Sequence, residues 1–340
     1  MRVDFHAHVL PRAWPDLCER YGDPRWPTLE HVDPCSARIM VDGQVFREVT
    51  DQLYVVERRL ADMERTGIDR QVLSTVPVMF SYWAQPRETR EMSRYLNEHL
   101  AETVRQHPDR FSALGTVPLN DPTMAIEELE RCVTEWGMAG VEIGTNIAGV
   151  DLDDERFLPF FQRAAELDTT VLIHPWQVVG AGRLSRYYFL YTVAMPSETA
   201  FAVGAMIFGG VLSSAPGLKV VFAHGGGSAP YIIGRMQRGW DVWEPARERS
   251  ARPPRELLRE CYFDSVTWDA QSLEFLVERV GGDRVVLGSD YPFIMGEERP
   301  GEILSESAIG SEDREAILGG NALRLLALDD SAERRAEHVA

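Results

Sequence analysis

The sequence predicts a (β/α)8 barrel. Eight short β-branched runs alternate with eight amphipathic stretches along the chain. The runs are almost continuously apolar, as strands buried on both faces of a parallel sheet are. The length of 340 residues suits one large barrel. A doubly wound parallel sheet is the alternative that the same alternation allows.

The first strand is read at Val3–His8. Residues 10–50 then interrupt the alternation with a Pro- and Trp-rich insertion, whose second half, Ala37–Val49, alternates about Asp42-Gly43 and predicts a β-hairpin. Barrels build their sites from loops after the strands, so this hairpin is expected to lid the mouth. The remaining strands follow at Gln71–Val76, Phe111–Val117, Gly140–Ile143, Thr170–His174, Lys219–His224, Tyr262–Ser265 and Val285–Asp290. Helices are read at Leu53–Thr66, Glu88–Gln106, Met124–Trp136, Phe157–Leu167, Glu198–Leu212, Pro230–Val242, Gln271–Val280 and Glu312–Leu325. Asp121-Pro122 opens the third of these and Gly137 closes it. Residues 1–328 are expected to form a single metal-dependent barrel domain, and 329–340 a disordered, charged tail.

With 35 basic against 53 acidic residues the net charge is −18, so neither nucleic acid nor a membrane surface is an expected partner. Lys219 is the only lysine, which leaves 35 − 1 = 34 arginines. Schiff-base chemistry and Walker-type phosphate loops, which need a placed lysine, are thereby disfavoured. The N-terminus lacks the apolar run of a signal peptide, and Phe201–Leu212 is too short to span a bilayer. Cys18, Cys35, Cys132 and Cys261 are scattered without a CxxC pair and are expected to be free thiols of a cytoplasmic protein.

The chemistry concentrates at strand ends. His6 and His8 stand two apart on the first strand and so share a face. His174 closes the fifth strand, His224 the sixth and Asp290 the eighth, which in a barrel converge on the C-terminal rim. Three His and one Asp, with one His to spare, supply a divalent metal site and a base beside an open coordination position. Two-metal sites on such barrels commonly use a carboxylated lysine after strand four; that region reads Gly140-Val-Glu-Ile-Gly144, and Lys219 starts strand six at the opposite end. One metal ion is therefore expected, with Glu142 left open as a bridging ligand. Gly225-Gly-Gly227 is read as a tight strand-to-helix turn, and His31, His99, His107 and His338 as surface residues.

The motifs Val3-Asp-Phe-His-Ala-His8, Ser74-Thr-Val-Pro-Val-Met-Phe-Ser-Tyr-Trp83, His174-Pro-Trp176, Phe222-Ala-His-Gly-Gly-Gly227 and Leu287-Gly-Ser-Asp-Tyr-Pro-Phe293 resemble the amidohydrolase superfamily. Within it they resemble the 2-amino-3-carboxymuconate-6-semialdehyde decarboxylase family, over nearly the whole length. The resemblance implies a distorted barrel, one zinc ion, non-oxidative decarboxylation of a carboxylated semialdehyde, and a homodimer. Matched residue by residue, it makes His6, His8, His174 and Asp290 the metal ligands and His224 the general base, with Asp290 also counted as catalytic. Arg47 would grip the substrate carboxylate, and Arg235 would reach into the neighbouring subunit's site. Met79, Trp176, Tyr191 and Phe293 would line the substrate. In the chemistry so implied, hydroxide on the metal adds beside the departing carboxylate with His224 assisting.

The chain departs from that family in the loop before Val193-Ala-Met-Pro196. A Pro-Trp pair is usual there, and this sequence has Phe189-Leu-Tyr-Thr192. Gln44, beside Arg47 on the hairpin, also replaces a residue that is basic in some relatives. The metal chemistry is expected to survive these changes, with the substrate either an aminocarboxymuconate-semialdehyde-like acid or a related unsaturated or aromatic carboxylic acid. A hydrolase or hydratase using the same zinc-bound water is the alternative reading, and it would release no CO2.

Overall fold

Eight strands close into a parallel barrel in chain order: Val3–His8, Arg70–Ser74, Phe111–Thr116, Gly140–Gly144, Thr170–His174, Lys219–Phe222, Tyr262–Asp264 and Val285–Val286. The structure is a computed structural model and describes residues 1–328; the expected tail, 329–340, lies outside the described residues. Helices Val56–Thr66, Pro86–Gln106, Pro122–Thr134, Leu158–Glu166, Met195–Phe208, Ala229–Val242 and Ala270–Val280 alternate with the strands. A last helical stretch runs from Ser311 to Leu325 with a π turn at Ala316–Gly320.

Side-chain alternation explains where the chemistry lies. Val3, Phe5, Val72, Leu114, Leu172, Val221 and Val286 fill the barrel interior, all fully buried, and each contributes roughly 1.5–3 kcal/mol of hydrophobic stabilisation. Two residues further along three of these strands, on the same face, come Ser74, Thr116 and His174, also buried. An apolar plug thus passes into a polar layer towards the C-terminal rim. Outward-facing residues such as Val141, Ile143, Val171 and Ile173 join the core under the helices.

The last strand differs from its expected extent. Only Val285–Val286 pairs regularly with the seventh strand, and the chain then peels onto the first strand. Leu287 O accepts from Phe5 N at 2.7 Å, His6 O from Asp290 N at 2.9 Å and Tyr291 O from His8 N at 2.7 Å. The sixth strand likewise stops at Phe222, because His224 and Gly225–Gly227 all adopt positive φ. Gly227 is required there: at φ +59° a Cβ would fall 2.0 Å from the Pro196 carbonyl oxygen.

The insertion holds the expected hairpin, Ser36–Val41 and Gln44–Thr50, turning at Asp42 (φ +54°) and Gly43 (φ +67°), the conformations a tight two-residue turn needs. Thr28–Asp33 adds an antiparallel third strand, unmarked in the sequence because four of its six residues are exposed. The sheet rests on a second apolar cluster that includes Trp26, Ile39, Leu53, Val78, Met79 and Met92. This seats it over the loop after the second strand and the helix Pro86–Gln106. His99, expected at the surface, is half-buried with Nε2 inside, and His107 is also half-buried; His31 is exposed and His338 lies outside the described residues. All four cysteines are free. No helix among the described residues is long and apolar enough to cross a membrane.

Candidate active site

His6 falls within an irregularity in the first strand's pairing, between Asp4 and Ala7, and His8 follows it directly. Their Nε2 atoms stand 3.1 Å apart. His8 Nε2 is 3.2 Å from Asp290 Oδ1, and His224 Nε2 is 3.7 Å from Asp290 Oδ2. One ligand atom from each of His6, His174, His224 and Asp290 falls within a common span of 4.8 Å, and the ring of His8 is 5.1 Å from that of His174. All five groups are therefore brought together. His224 and Asp290 reach the cluster because each leaves its strand in a left-handed conformation, φ +56° and +58°. Such non-glycine residues cost local strain and gather at functional sites.

The donor set suits a divalent metal. Four imidazoles facing one carboxylate in a dry interior leave His174 Nε2 buried without a partner, and two imidazole nitrogens at 3.1 Å are held together best by a shared cation. Three of the imidazoles are fixed from behind through Nδ1: His6 by Asp264 Oδ2 at 2.7 Å, His8 by the Thr75 carbonyl at 2.7 Å and His174 by the Pro175 carbonyl at 3.1 Å. Metal-binding histidines characteristically have such outer partners.

The charges respond to one another. Burial would lower the pKa of His6, but the hydrogen bond and charge of Asp264, then Asp290 and Glu142, push it up to about 9. Burial, and then the neighbouring His224, His8 and His6, hold His174 well below its usual range. Burial opposes ionisation of Asp290, yet His224 and His8 keep it well below the usual carboxylate range. Glu142 is fully buried, and burial drives its carboxyl well upward. Its Oε1 lies 3.9 Å from His8 Nδ1, on the ring edge opposite the Nε2 that faces Asp290. It stands behind a histidine of the cluster and is not placed as a bridge.

Above the cluster, Arg47 descends from the hairpin. Its guanidinium lies 4.3 Å from the Phe293 ring centroid, 5.0 Å from Tyr191 and 5.7 Å from Phe46. It makes no hydrogen bond or ion pair with any described residue. Phe293 also meets the ring of His8 at 5.2 Å, and Phe46 meets Trp176 at 5.9 Å. An arginine with an uncommitted fork thus hangs in an aromatic frame beside the metal-type cluster. Tyr191 reaches this frame from the π turn Leu190–Ala194. Met79 is buried in the apolar cluster against which Trp176 and Phe293 pack, so it backs the wall. Arg235 is exposed on the helix Ala229–Val242 and has no polar partner among the described residues.

Two participants were not assigned from sequence. Asp264 accepts from His6 Nδ1, from the amides of His224 and Gly225 at 2.8 and 2.9 Å, and from Val266 N at 3.0 Å. Its signal was the one already used for His174 and Asp290: a lone ionisable residue closing an apolar strand. Trp268, in the following loop, stacks on His224 with centroids 6.1 Å apart; nothing in its local sequence marks it.

A barrel with this rim is the architecture of metal-dependent amidohydrolases, and the family model described as Amidohydrolase matches residues 3–328: the chain belongs to that family. It is 43% identical, over 97% of its own length and 92% of the other's, to 2-amino-3-carboxymuconate-6-semialdehyde decarboxylase of Dictyostelium discoideum. The protein of the same name from Caenorhabditis elegans is 35% identical, over 97% of this chain and 95% of that one. In three dimensions the chain is similar to dihydroxybenzoic acid decarboxylase of Polaromonas sp. JS666, solved with bound manganese and 2-nitroresorcinol (TM-score 0.78, 22% identity, 96% and 97% of the two chains). The chain is a metal-dependent, non-oxidative decarboxylase, a carboxy-lyase of the amidohydrolase superfamily, and its cluster takes a divalent metal ion.

Proposed function

We propose that the substrate is an aminocarboxymuconate-semialdehyde-like or related unsaturated or aromatic carboxylic acid, and that the metal is zinc. The observation that carries this is the uncommitted guanidinium of Arg47, one aromatic ring away from His8. A planar carboxylate gripped bidentately there is held beside the metal cluster. His6, His8, His174 and Asp290 hold the ion; the three Nδ1 anchors support the histidines of this set. Imidazole-nitrogen and carboxylate donors of this kind suit zinc, and manganese, as bound in the Polaromonas protein, is the competing metal.

When bound, the ion supplies Lewis acidity and a water that ionises near neutral pH. The protein does the rest. Arg47 fixes the departing carboxylate, while Phe293, Trp176 and Tyr191, with Met79 behind them, cover the conjugated chain and exclude water. His224, whose ring has no outer hydrogen-bond anchor among the described residues, receives a proton at Nε2 from water. It returns that proton to the carbon that keeps the electron pair of the broken C–C bond as CO2 leaves, and the hydroxide left from the water carries away the negative charge of the lost carboxylate. Asp290 spans the metal set and His224.

We further propose that two chains pair so that the exposed Arg235 of each completes the other's site. Its lack of any polar partner among the described residues supports this, as does the need of an acidic protein for a second cation beside an anionic substrate. The family match over 3–328 supports reading 1–328 as one catalytic domain, and four free thiols support a cytoplasmic location.

The test is a time course of zinc-loaded protein with freshly generated 2-amino-3-carboxymuconate semialdehyde. The expected result is loss of its near-ultraviolet band faster than spontaneous cyclisation, with CO2 released and both abolished by a chelator. Turnover without CO2 would instead identify a hydrolase or hydratase. A flat trace would remove this substrate and turn attention to Leu190 and Tyr191.

A further inference from the structure

Four imidazoles share the rim, and they are not held alike. His6, His8 and His174 each have Nδ1 tied to a carboxylate or carbonyl. His224 has no such tie among the described residues: its backbone amide is bound by Asp264, and its ring meets Asp290 Oδ2 at 3.7 Å and the imidazoles of His174 and His6 with centroids 5.0 and 5.3 Å away. What faces the ring is the indole of Trp268, tilted 23° from parallel with centroids 6.1 Å apart.

Trp268 is itself fixed at several points. Its indole Nε1 donates to the carbonyl of Met295, in the loop after the eighth strand that also carries Phe293. Asp269, the next residue, caps the helix Ala270–Val280 by accepting from Ser272 N at 2.7 Å. Two residues earlier, Val266 N is bound by Asp264. The residue sits at φ +54° and remains 44% exposed, so it is not a core filler. A large aromatic residue has been set in a left-handed conformation, its one polar atom satisfied, with its face offered to His224.

We infer that Trp268 is the positioning residue of His224, setting by stacking the ring orientation that hydrogen bonds set for the other three histidines. Offset-stacked rings at this separation attract one another. The inference rests on His224 being the group that handles the proton.

The experiment compares Trp268→Ala, Trp268→Phe, His224→Ala and the Trp268→Ala/His224→Ala double variant as metal-loaded protein, measuring kcat, KM, metal per chain and Tm. Trp268→Ala is expected to lower kcat roughly 10- to 100-fold, the scale on which misplacement of a reacting group acts. KM, metal content and Tm should stay near wild type, and Trp268→Phe should recover most of kcat. In the double variant the loss should not exceed that of His224→Ala, because the two residues act as one unit. Additive losses, a rise in KM alone, or loss of metal from Trp268→Ala would overturn the inference. If His224→Ala by itself retains kcat, the assignment of His224 fails, and that outcome is separate from a failure of Trp268.

Discussion

Asp264 Oδ2 receives His6 Nδ1 at 2.7 Å and the backbone amide of His224 at 2.8 Å, so one buried oxygen sets both a ring on the first strand and the turn after the sixth. Burial would raise the carboxyl's pKa. The hydrogen bond and charge of His6, then the charge of His224 and the Gly225 amide, hold it below the usual range instead. Asp264→Asn preserves the shape and removes the charge. Outer partners of metal-binding histidines are worth about 10- to 100-fold in metal affinity, and that weakening is expected in a competition titration against a chromophoric chelator. An unchanged affinity would mean that the His6 ring is held by packing alone.

Ligand and base are separable by metal content. His174→Ala is expected to lose the ion. His224→Ala should keep one ion per chain while kcat falls by roughly 10²- to 10⁴-fold, the usual contribution of a positioned acid–base group. Metal analysis beside steady-state rates decides it, and an ion lost from both variants would make His224 a ligand.

How much of this was legible in the sequence depended on the distance over which each signal acts. The eight barrel strands were readable because burial on both faces leaves apolar runs, and Asp42-Gly43 marked its hairpin through the positive φ that both positions need. The strand-end residues His6, His8, His174, His224 and Asp290 were readable because a barrel gathers strand ends. The base was assigned to His224 by the resemblance alone; the difference in Nδ1 partners that supports this proposal was not readable, because those partners lie 258 positions away for His6 and 67 for His8. Thr28–Asp33 was missed because it pairs through its backbone with its side chains largely in solvent. Trp268 acts through a single stacking contact that no local pattern encodes.

The frame around Arg47 makes a specific demand. With aromatic rings at 4.3, 5.0 and 5.7 Å, a planar cation can lie against rings while its fork stays free, and a lysine ammonium reproduces neither feature. Arg47→Lys is therefore expected to raise KM about 10- to 100-fold, the worth of a charged hydrogen bond, and to recover little relative to Arg47→Met. If Lys binds substrate as wild type does, charge alone is sufficient.

Glu297 gives a pH dependence independent of the metal. Burial, then the charges of Asp264, Asp4 and Glu302, push its carboxyl up from 4.5 to about 7, against the pull of the Gly301 amide. Between these values the folded protein keeps a proton that the unfolded chain has lost. Stability therefore falls as pH rises through that window, and the cost is complete above about 7. Glu297→Gln abolishes this term. Denaturant titrations at pH 4.5 and pH 8 should show the variant matching wild type at the lower pH, and exceeding it by roughly 2 kcal/mol at the higher after allowance for partial solvent screening. Equal stabilities at both values would mean that the carboxyl is solvated in solution.

The proposed exchange of Arg235 between subunits predicts rescue between two inactive proteins. Arg235→Ala lacks the donated cation and His224→Ala lacks the base, so neither homodimer should turn over appreciably. In a mixed dimer, the chain carrying Arg235→Ala retains its own His224 and receives Arg235 from its partner, which restores one site of the two. Unfolding and refolding an equal mixture should make half the dimers mixed, and should recover about a quarter of the wild-type activity per chain, as a two-fold pairing requires. Activity that does not rise above the sum of the two separate variants would place Arg235 outside the neighbouring site.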